Sequence, residues 1–134
     1  MKVLLDTHVW IWWLLRDSPL RAKERAALDL AAAAAGSILL PAICQWELQM
    51  LHAKKRVDLP IPFAAWLRRA TSPDVLTVVP LDAEAVISVD ALPATFRGDP
   101  ADRMIVATAR TLDLPLATHD DVIRKSRLVK IWKP

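Results

Sequence analysis

Five acidic residues stand where their chemistry could combine. Asp6 follows the apolar run Val3-Leu4-Leu5, and Glu47 follows Trp46. Asp99 and Asp102 bracket Pro100-Ala101, and Asp120 ends the stretch Leu116-Ala117-Thr118-His119. Ionised carboxylates held side by side repel one another and raise each other's pKa. A hard divalent cation removes that repulsion. Mg²⁺ and Mn²⁺ take oxygen ligands and leave positions open for water or a phosphate oxygen. One or two such ions activate water and steady the charge on a phosphoryl group during in-line displacement. The chain has no GxSxG elbow and no Gly-rich phosphate loop, so the acids are its chemical machinery.

The elements that must bring these acids together can be read from composition and pattern. The chain has 134 residues, 54% of them apolar and 25% charged. That suits one folded domain, residues 1–134, with a real core, and excludes a disordered tail. Two glycines exclude collagen-like and Gly-linker architectures, and one cysteine, Cys44, excludes a disulfide framework or a zinc–thiolate site. The net charge of +3 permits a polyanionic partner. The uncharged stretch beginning at Leu30 is broken by Gly36, Ser37 and Pro41, so no membrane span is expected. Asp6 interrupts the N-terminal region where a secretion signal needs apolar residues. A soluble cytoplasmic protein is the expectation.

Strands are predicted over residues 2–5, 37–40, 75–79 and 116–118, with a terminal strand over 129–132. Helices are predicted over 7–16, 21–35, 42–55, 63–70, 83–92, 100–112 and 122–125, with Asp17-Ser18-Pro19 breaking the first. The first, second and fourth strands are almost wholly apolar, as when helices cover both faces of a parallel sheet. The expected fold is a three-layer α/β/α sandwich with a central, mostly parallel sheet of four to five strands. Sites in such sheets form at the carboxyl ends of strands, where strand order reverses. Asp6 and Asp120 fall at two such ends.

The residues in order carry a resemblance. Leu4-Leu5-Asp6-Thr7-His8 with Trp12, then Trp46-Glu47, then Lys54-Lys55-Arg56-Val57-Asp58-Leu59 form its first half. Asp99-Pro100-Ala101-Asp102-Arg103 before Ile105-Val106-Ala107, then Leu116-Ala117-Thr118-His119-Asp120 and Trp132, form its second. Together they resemble the PIN-domain ribonucleases, specifically the VapC (virulence-associated protein C) toxins of type II toxin–antitoxin systems, over essentially the whole chain. The resemblance implies a Mg²⁺- or Mn²⁺-dependent endoribonuclease with Asp6, Glu47, Asp102 and Asp120 as the metal-holding, catalytic quartet. It also implies a growth-arresting toxin held inactive by a cognate antitoxin, as a homodimer. Ala101 stands where the third motif commonly has an aromatic, and Cys44 near where a serine often stands. Neither departure removes an acid.

Each residue also has a purely structural reading. Asp6 can cap the helix that follows it. Asp99, Pro100 and Asp102 fit the N-cap, N1 and N3 positions of a capping box, which leaves Asp99 as an outer partner of any metal site. Trp46 and Leu48 suggest a buried neighbourhood for Glu47. Thr7 and Thr118 can donate to the acids. His8 reads as packed on the first helix and His119 as a loop residue that can touch substrate. Arg103 can bind phosphate or pair with a surface acid. Lys54-Lys55-Arg56, Arg68-Arg69 and Arg124-Lys125-Ser126-Arg127 read as solvated faces that could also hold RNA phosphates. The seven apolar residues 9–15 surround a helix completely, which suggests that one side, including Trp12, meets a partner. Two rival functions remain. One is a catalytically idle module that binds RNA or a protein. The other is an aspartyl-nucleophile phosphatase, which wants an acid two residues after Asp6, where His8 stands.

Overall fold

The computed structural model describes residues 1–17 and 19–134. Ser18, part of the expected helix break, lies outside the described residues. Four strands form one parallel sheet: β1 (Val3–Leu5), β2 (Ile38–Pro41), β3 (Thr77–Val79) and β4 (Leu116–Ala117), in the order β3-β2-β1-β4. Val3 sits opposite Ile38, Leu5 opposite Ala117 and Leu40 opposite Val78. Consecutive strand residues point to opposite faces. Val3, Leu4 and Leu5 are all buried, so both faces of β1 are covered. At the edge strand β3, Thr77 is exposed. The expected terminal strand is reduced to a single parallel bridge, Ile131 to Leu116, carried by Leu116 N–H to the Lys130 carbonyl at 2.8 Å and Trp132 N–H to the Leu116 carbonyl at 2.9 Å. Its partner β4 is two residues long and offers nothing more to pair with.

The helices are α1 (Thr7–Leu15), α2 (Ala22–Ala32), α3 (Ile43–Ala53), α4 (Phe63–Ala70), α5 (Ala83–Asp90), α6 (Pro100–Leu112) and α7 (Asp121–Ser126). Helices α2, α3 and α6 pack on β2, α5 lies along α6, and α3 also meets α1. The second helix ends three residues earlier than expected, because the alanines before Gly36 wind into turns instead.

Helix α1 is apolar all round because it is nearly enclosed. Val9, Trp10, Ile11 and Trp13 are buried. The Trp10 indole N–H donates to the Ala70 carbonyl at 3.2 Å, and that of Trp13 to Asp29 at 2.8 Å. The chain itself therefore covers most of the surface that the sequence suggested for a partner. Trp12, Leu14 and Leu15 stay half-buried. Helix α6 is amphipathic. It buries Ile105, Val106 and Ala109 and starts on the expected box: Asp102 N–H donates to Asp99 Oδ1 at 2.8 Å, and Asp99 N–H to Asp102 Oδ2 at 3.4 Å.

Candidate active site

The chain leaves β1 toward β2 and β3 and later returns on the other side of β1 as β4. The strand order therefore reverses between β1 and β4, and a crevice opens past their carboxyl ends. Asp6 ends β1, and Thr118, His119 and Asp120 follow β4. The two loops are joined: Asp6 N–H donates to the Ala117 carbonyl at 3.0 Å, and the Thr118 hydroxyl to Asp6 Oδ2 at 2.6 Å. Thr118 in turn accepts from Asp120 N–H at 3.0 Å, and Asp120 caps α7 by accepting from Ile123 N–H at 2.9 Å. On the other wall, α3 presents Glu47 and the start of α6 presents Asp99 and Asp102. A cleft of about 290 Å³ is lined by Asp6, Glu47, Asp99, Asp102 and Asp120, with His8, Trp12 and His119. All four quartet residues thus share one cleft, and Asp99 joins them.

The carboxylates are held by neutral donors. Asp6 is buried; Oδ1 accepts from Thr7 N–H at 2.7 Å while Oδ2 takes the Thr118 hydroxyl. The Thr7 hydroxyl donates to Glu47 Oε1. Both threonines therefore act as expected, each orienting one acid. Among the described residues, none of the five acids forms an ion pair with lysine or arginine. Burial pushes the Asp6 carboxyl above its ordinary range, against the hydrogen bonds from Thr118 and Thr7. Burial also raises Glu47, aided by the charges of Asp6 and Asp99. Asp102 is pushed up to about 7, by burial first and then by Asp99, Asp120 and Asp6. Loss of water outweighs mutual repulsion in all three, whereas crowding alone suggested repulsion.

Hard oxygen donors without cationic partners fit a divalent cation. Among the described residues, no three His, Cys, Asp or Glu side chains are gathered into a ready-made ligand cage. The cleft stays open, as suits an ion that keeps several waters.

Other expected roles change. Trp46 is exposed, while Leu48 on its other side is buried. Among the described residues, Arg103 forms no ion pair with an acid. Its Nη1 donates to the Phe96 carbonyl at 3.1 Å and its guanidinium lies over the Phe96 ring, because Phe96 folds back under the start of α6. His8 is exposed at the cleft and meets Trp12, with ring centroids 5.5 Å apart. His119 also packs against the Trp12 ring, with centroids 5.4 Å apart. His119 is also tethered, since its Nε2 lies 2.8 Å from Glu24 Oε2. Sequence reasoning missed Glu24. Its local signal is that of a helix-start acid behind Arg21, and no spacing rule links it to a histidine 95 positions later. Of the basic groups, Lys54 and Arg56 line a groove that shares Glu47 and Asp99 with the acid cleft, and Arg124 Nη1 donates to the Thr118 carbonyl at 3.2 Å.

Comparison with known proteins places this geometry. A family model described as PIN domain matches residues 3–127. A curated relative, Ribonuclease VapC22 of Mycobacterium tuberculosis, is 37% identical over 133 residues, covering 97% of this chain and 98% of that protein. Among solved structures, VapBC2 from Rickettsia felis, crystallised with a DNA fragment from its promoter, superposes with a TM-score of 0.74 at 15% identity, over 98% of both chains. FitAcB from Neisseria gonorrhoeae gives a TM-score of 0.68 at 21% identity, over 98% of this chain and 97% of that one. At these identities the two structures speak to fold alone.

Proposed function

The chain belongs to the PIN-domain family, among its VapC-type ribonucleases, and from that premise we propose that it is a Mg²⁺- or Mn²⁺-dependent endoribonuclease acting as the toxin of a toxin–antitoxin pair. The observation that carries the reading is the set of carboxylates without cationic partners at the point where strand order reverses. Asp6, Glu47, Asp102 and Asp120 would hold the cation, with Asp99 outside them. When bound, the ion supplies charge neutralisation at phosphate and activation of water.

The chain's own residues do the rest. Thr118 and Thr7 fix the rotamers of Asp6 and Glu47 while leaving each acid lone pairs to offer. Asp99 holds the start of α6 in place, its Oδ1 accepting from Asp102 N–H, which sets the position of the Asp102 carboxyl at the cleft. Glu24 holds His119 against Trp12, which keeps one wall of the cleft rigid. Trp12 lies at the cleft and not on a remote face, so a partner that covers it also blocks the acids. That supports an inhibitory antitoxin at this face. The curated relative, Ribonuclease VapC22, supports the same ribonuclease reading. We read residues 1–134 as one domain, active as a cytoplasmic homodimer.

The test is cleavage of a labelled single-stranded oligoribonucleotide pool by purified protein in Mn²⁺, Mg²⁺ or chelator. Cleavage in the two metals and none in chelator is the expected result. Equal cleavage in chelator would overturn metal dependence. Binding without cleavage in either metal would favour the idle RNA-binding module.

A further inference from the structure

The acid cleft does not end at Glu47 and Asp99. The same two residues line an adjoining groove of about 180 Å³, walled by Trp46, Lys54 and Arg56 on one side and Pro100 and Ala101 on the other. Trp46 is 52% exposed, the only exposed one among the six tryptophans. Trp10 and Trp13 spend their indole N–H groups inside the fold. Among the described residues the Trp46 indole N–H donates to no partner, and a large, half-exposed indole on the groove wall is free to meet an occupant.

Local structure explains how two cations reach that indole. Trp46 and Met50 lie four residues apart on α3, hence on one face. Lys54 caps the helix, its N–H bonded to the Met50 carbonyl at 3.0 Å. Lys55 then takes a left-handed conformation, φ 57°. The chain folds back so that Arg56 N–H donates to the Leu51 carbonyl at 2.8 Å. The turn returns Arg56 to the groove, whose lining it shares with Lys54, Trp46 and Glu47. Across from them, Pro100 and Ala101 are small enough to keep the groove open.

A π-face flanked by two cations, continuous with an acid cleft, suits a ligand that alternates planar rings with negative charge. Single-stranded RNA does so: bases stack on aromatic side chains while lysine and arginine track the phosphates. A purely apolar helix of a protein partner would leave Lys54 and Arg56 facing no anion. Resting on the endoribonuclease reading above, we propose that Trp46, Lys54 and Arg56 form the nucleotide subsite next to the scissile phosphate. There a neighbouring base stacks on the Trp46 indole and its phosphate lies between the two cations. Stacking accepts every base. The subsite therefore sets affinity and the register of the strand over the acids, not base identity.

The experiment compares wild type, Trp46→Ala and Trp46→Phe on the labelled single-stranded oligoribonucleotide pool in Mn²⁺. A lost stack costs roughly a 5- to 100-fold rise in KM, with kcat changed far less. Trp46→Phe keeps a ring and recovers most of the affinity. In a cleavage-dead Asp6→Asn background, Lys54→Ala and Arg56→Ala each reduce the slope of log affinity against log salt by about 0.7, one released counterion on a single strand. An unchanged KM in Trp46→Ala, or Trp46→Phe as impaired as Trp46→Ala, overturns the subsite. So does a Trp46→Ala variant with wild-type RNA kinetics but altered self-association, which would make Trp46 a protein-contact residue. If wild type itself cuts no RNA, the endoribonuclease reading fails and the subsite falls with it. If wild type cuts and Trp46→Ala cuts equally well at equal KM, only the subsite fails.

Discussion

Glu24 and Asp6 are almost equally hidden, 5% and 6% exposed, yet they hold protons in opposite ways. Burial pushes both carboxyls up. At Glu24 that push is overcome: Arg21 donates through Nε at 2.9 Å and through its backbone N–H at 3.2 Å, His119 lies at 2.8 Å, and the acid ends below its ordinary range. At Asp6 only hydroxyl and amide donors answer, and the acid ends above it. His119 lies between the two environments: its Nε2 meets Glu24, its ring packs against Trp12, and it lines the cleft with Asp6. Asp6 lies deeper in the protein than Glu24 and has weaker partners, and both differences set the sign. One region is completed by the fold. The other is left short of positive charge, and such places are where natural proteins give up stability for function.

The sharpest way to break this contrast is to neutralise an acid on the unpartnered side. Asp6→Asn keeps the cap of α1, because asparagine caps as well as aspartate. It removes an anionic ligand. Outer partners of metal sites already cost 10- to 100-fold when lost, so RNA cleavage in Mn²⁺ should fall by about a hundredfold or more with the fold retained. Wild-type rates from carefully purified Asp6→Asn protein would show that the acid is merely a cap.

On the partnered side, Glu24→Gln should leave chemistry nearly intact and damage stability. Hydrogen bonds to charged groups are lost or weakened at Arg21 and His119, at a cost of about 1–2 kcal/mol, the same in Mn²⁺ and in chelator. Denaturant midpoints in both media check this. A loss seen only with metal present would place Glu24 in the metal site.

The pH dependence separates the two regions by sign. Glu24 has a folded pKa below its ordinary value of 4.5. Its contribution is present above that value and is lost as pH falls through the lower folded one. Asp102 has a folded pKa of about 7 against an ordinary value of 3.8. Its contribution is complete below 3.8 and is lost as pH rises through about 7. In chelator, Glu24→Gln should therefore flatten the acidic limb of the wild-type stability profile, and Asp102→Asn the limb approaching neutrality. Chemical denaturation across that range reads both. Identical limbs in wild type and Asp102→Asn would mean that Asp102 ionises normally.

What the sequence made legible follows the same division. Three apolar residues ending in Asp6, and Asp99-Pro100-Ala101-Asp102 before an amphipathic run, are local patterns whose physics is complete within a few residues. Both the strand and the capping box formed as read. Convergence of the acids followed from the strand-end rule once the βα alternation was clear. The Glu24–His119 contact was not legible, because Glu24 is locally a helix-start acid and only tertiary packing brings His119 to it. Trp46 was misjudged as cover for Glu47, since one helical position separates an exposed face from the buried Leu48. The contact of Arg103 with the Phe96 carbonyl and ring was not legible, because no charge pattern announces a backbone acceptor or an aromatic face. The last strand shrank to a bridge because its length depended on β4, not on its own residues.

The central claim, that the cleft carboxylates await a cation, is tested most directly by four melting curves: wild type and Asp102→Asn, each in chelator and in excess Mn²⁺. Half-buried Asp102 is screened by solvent, so removing its charge should stabilise the metal-free protein by about 1 kcal/mol, well below the unscreened value of its raised pKa. Wild type should gain about 2.7 kcal/mol at a metal concentration one hundred times its Kd, and Asp102→Asn much less. The account predicts a variant that melts above wild type in chelator and loses most of the Mn²⁺-induced shift. A variant that melts lower in chelator, with the Mn²⁺ shift unchanged, would make Asp102 a helix cap and contradict the claim.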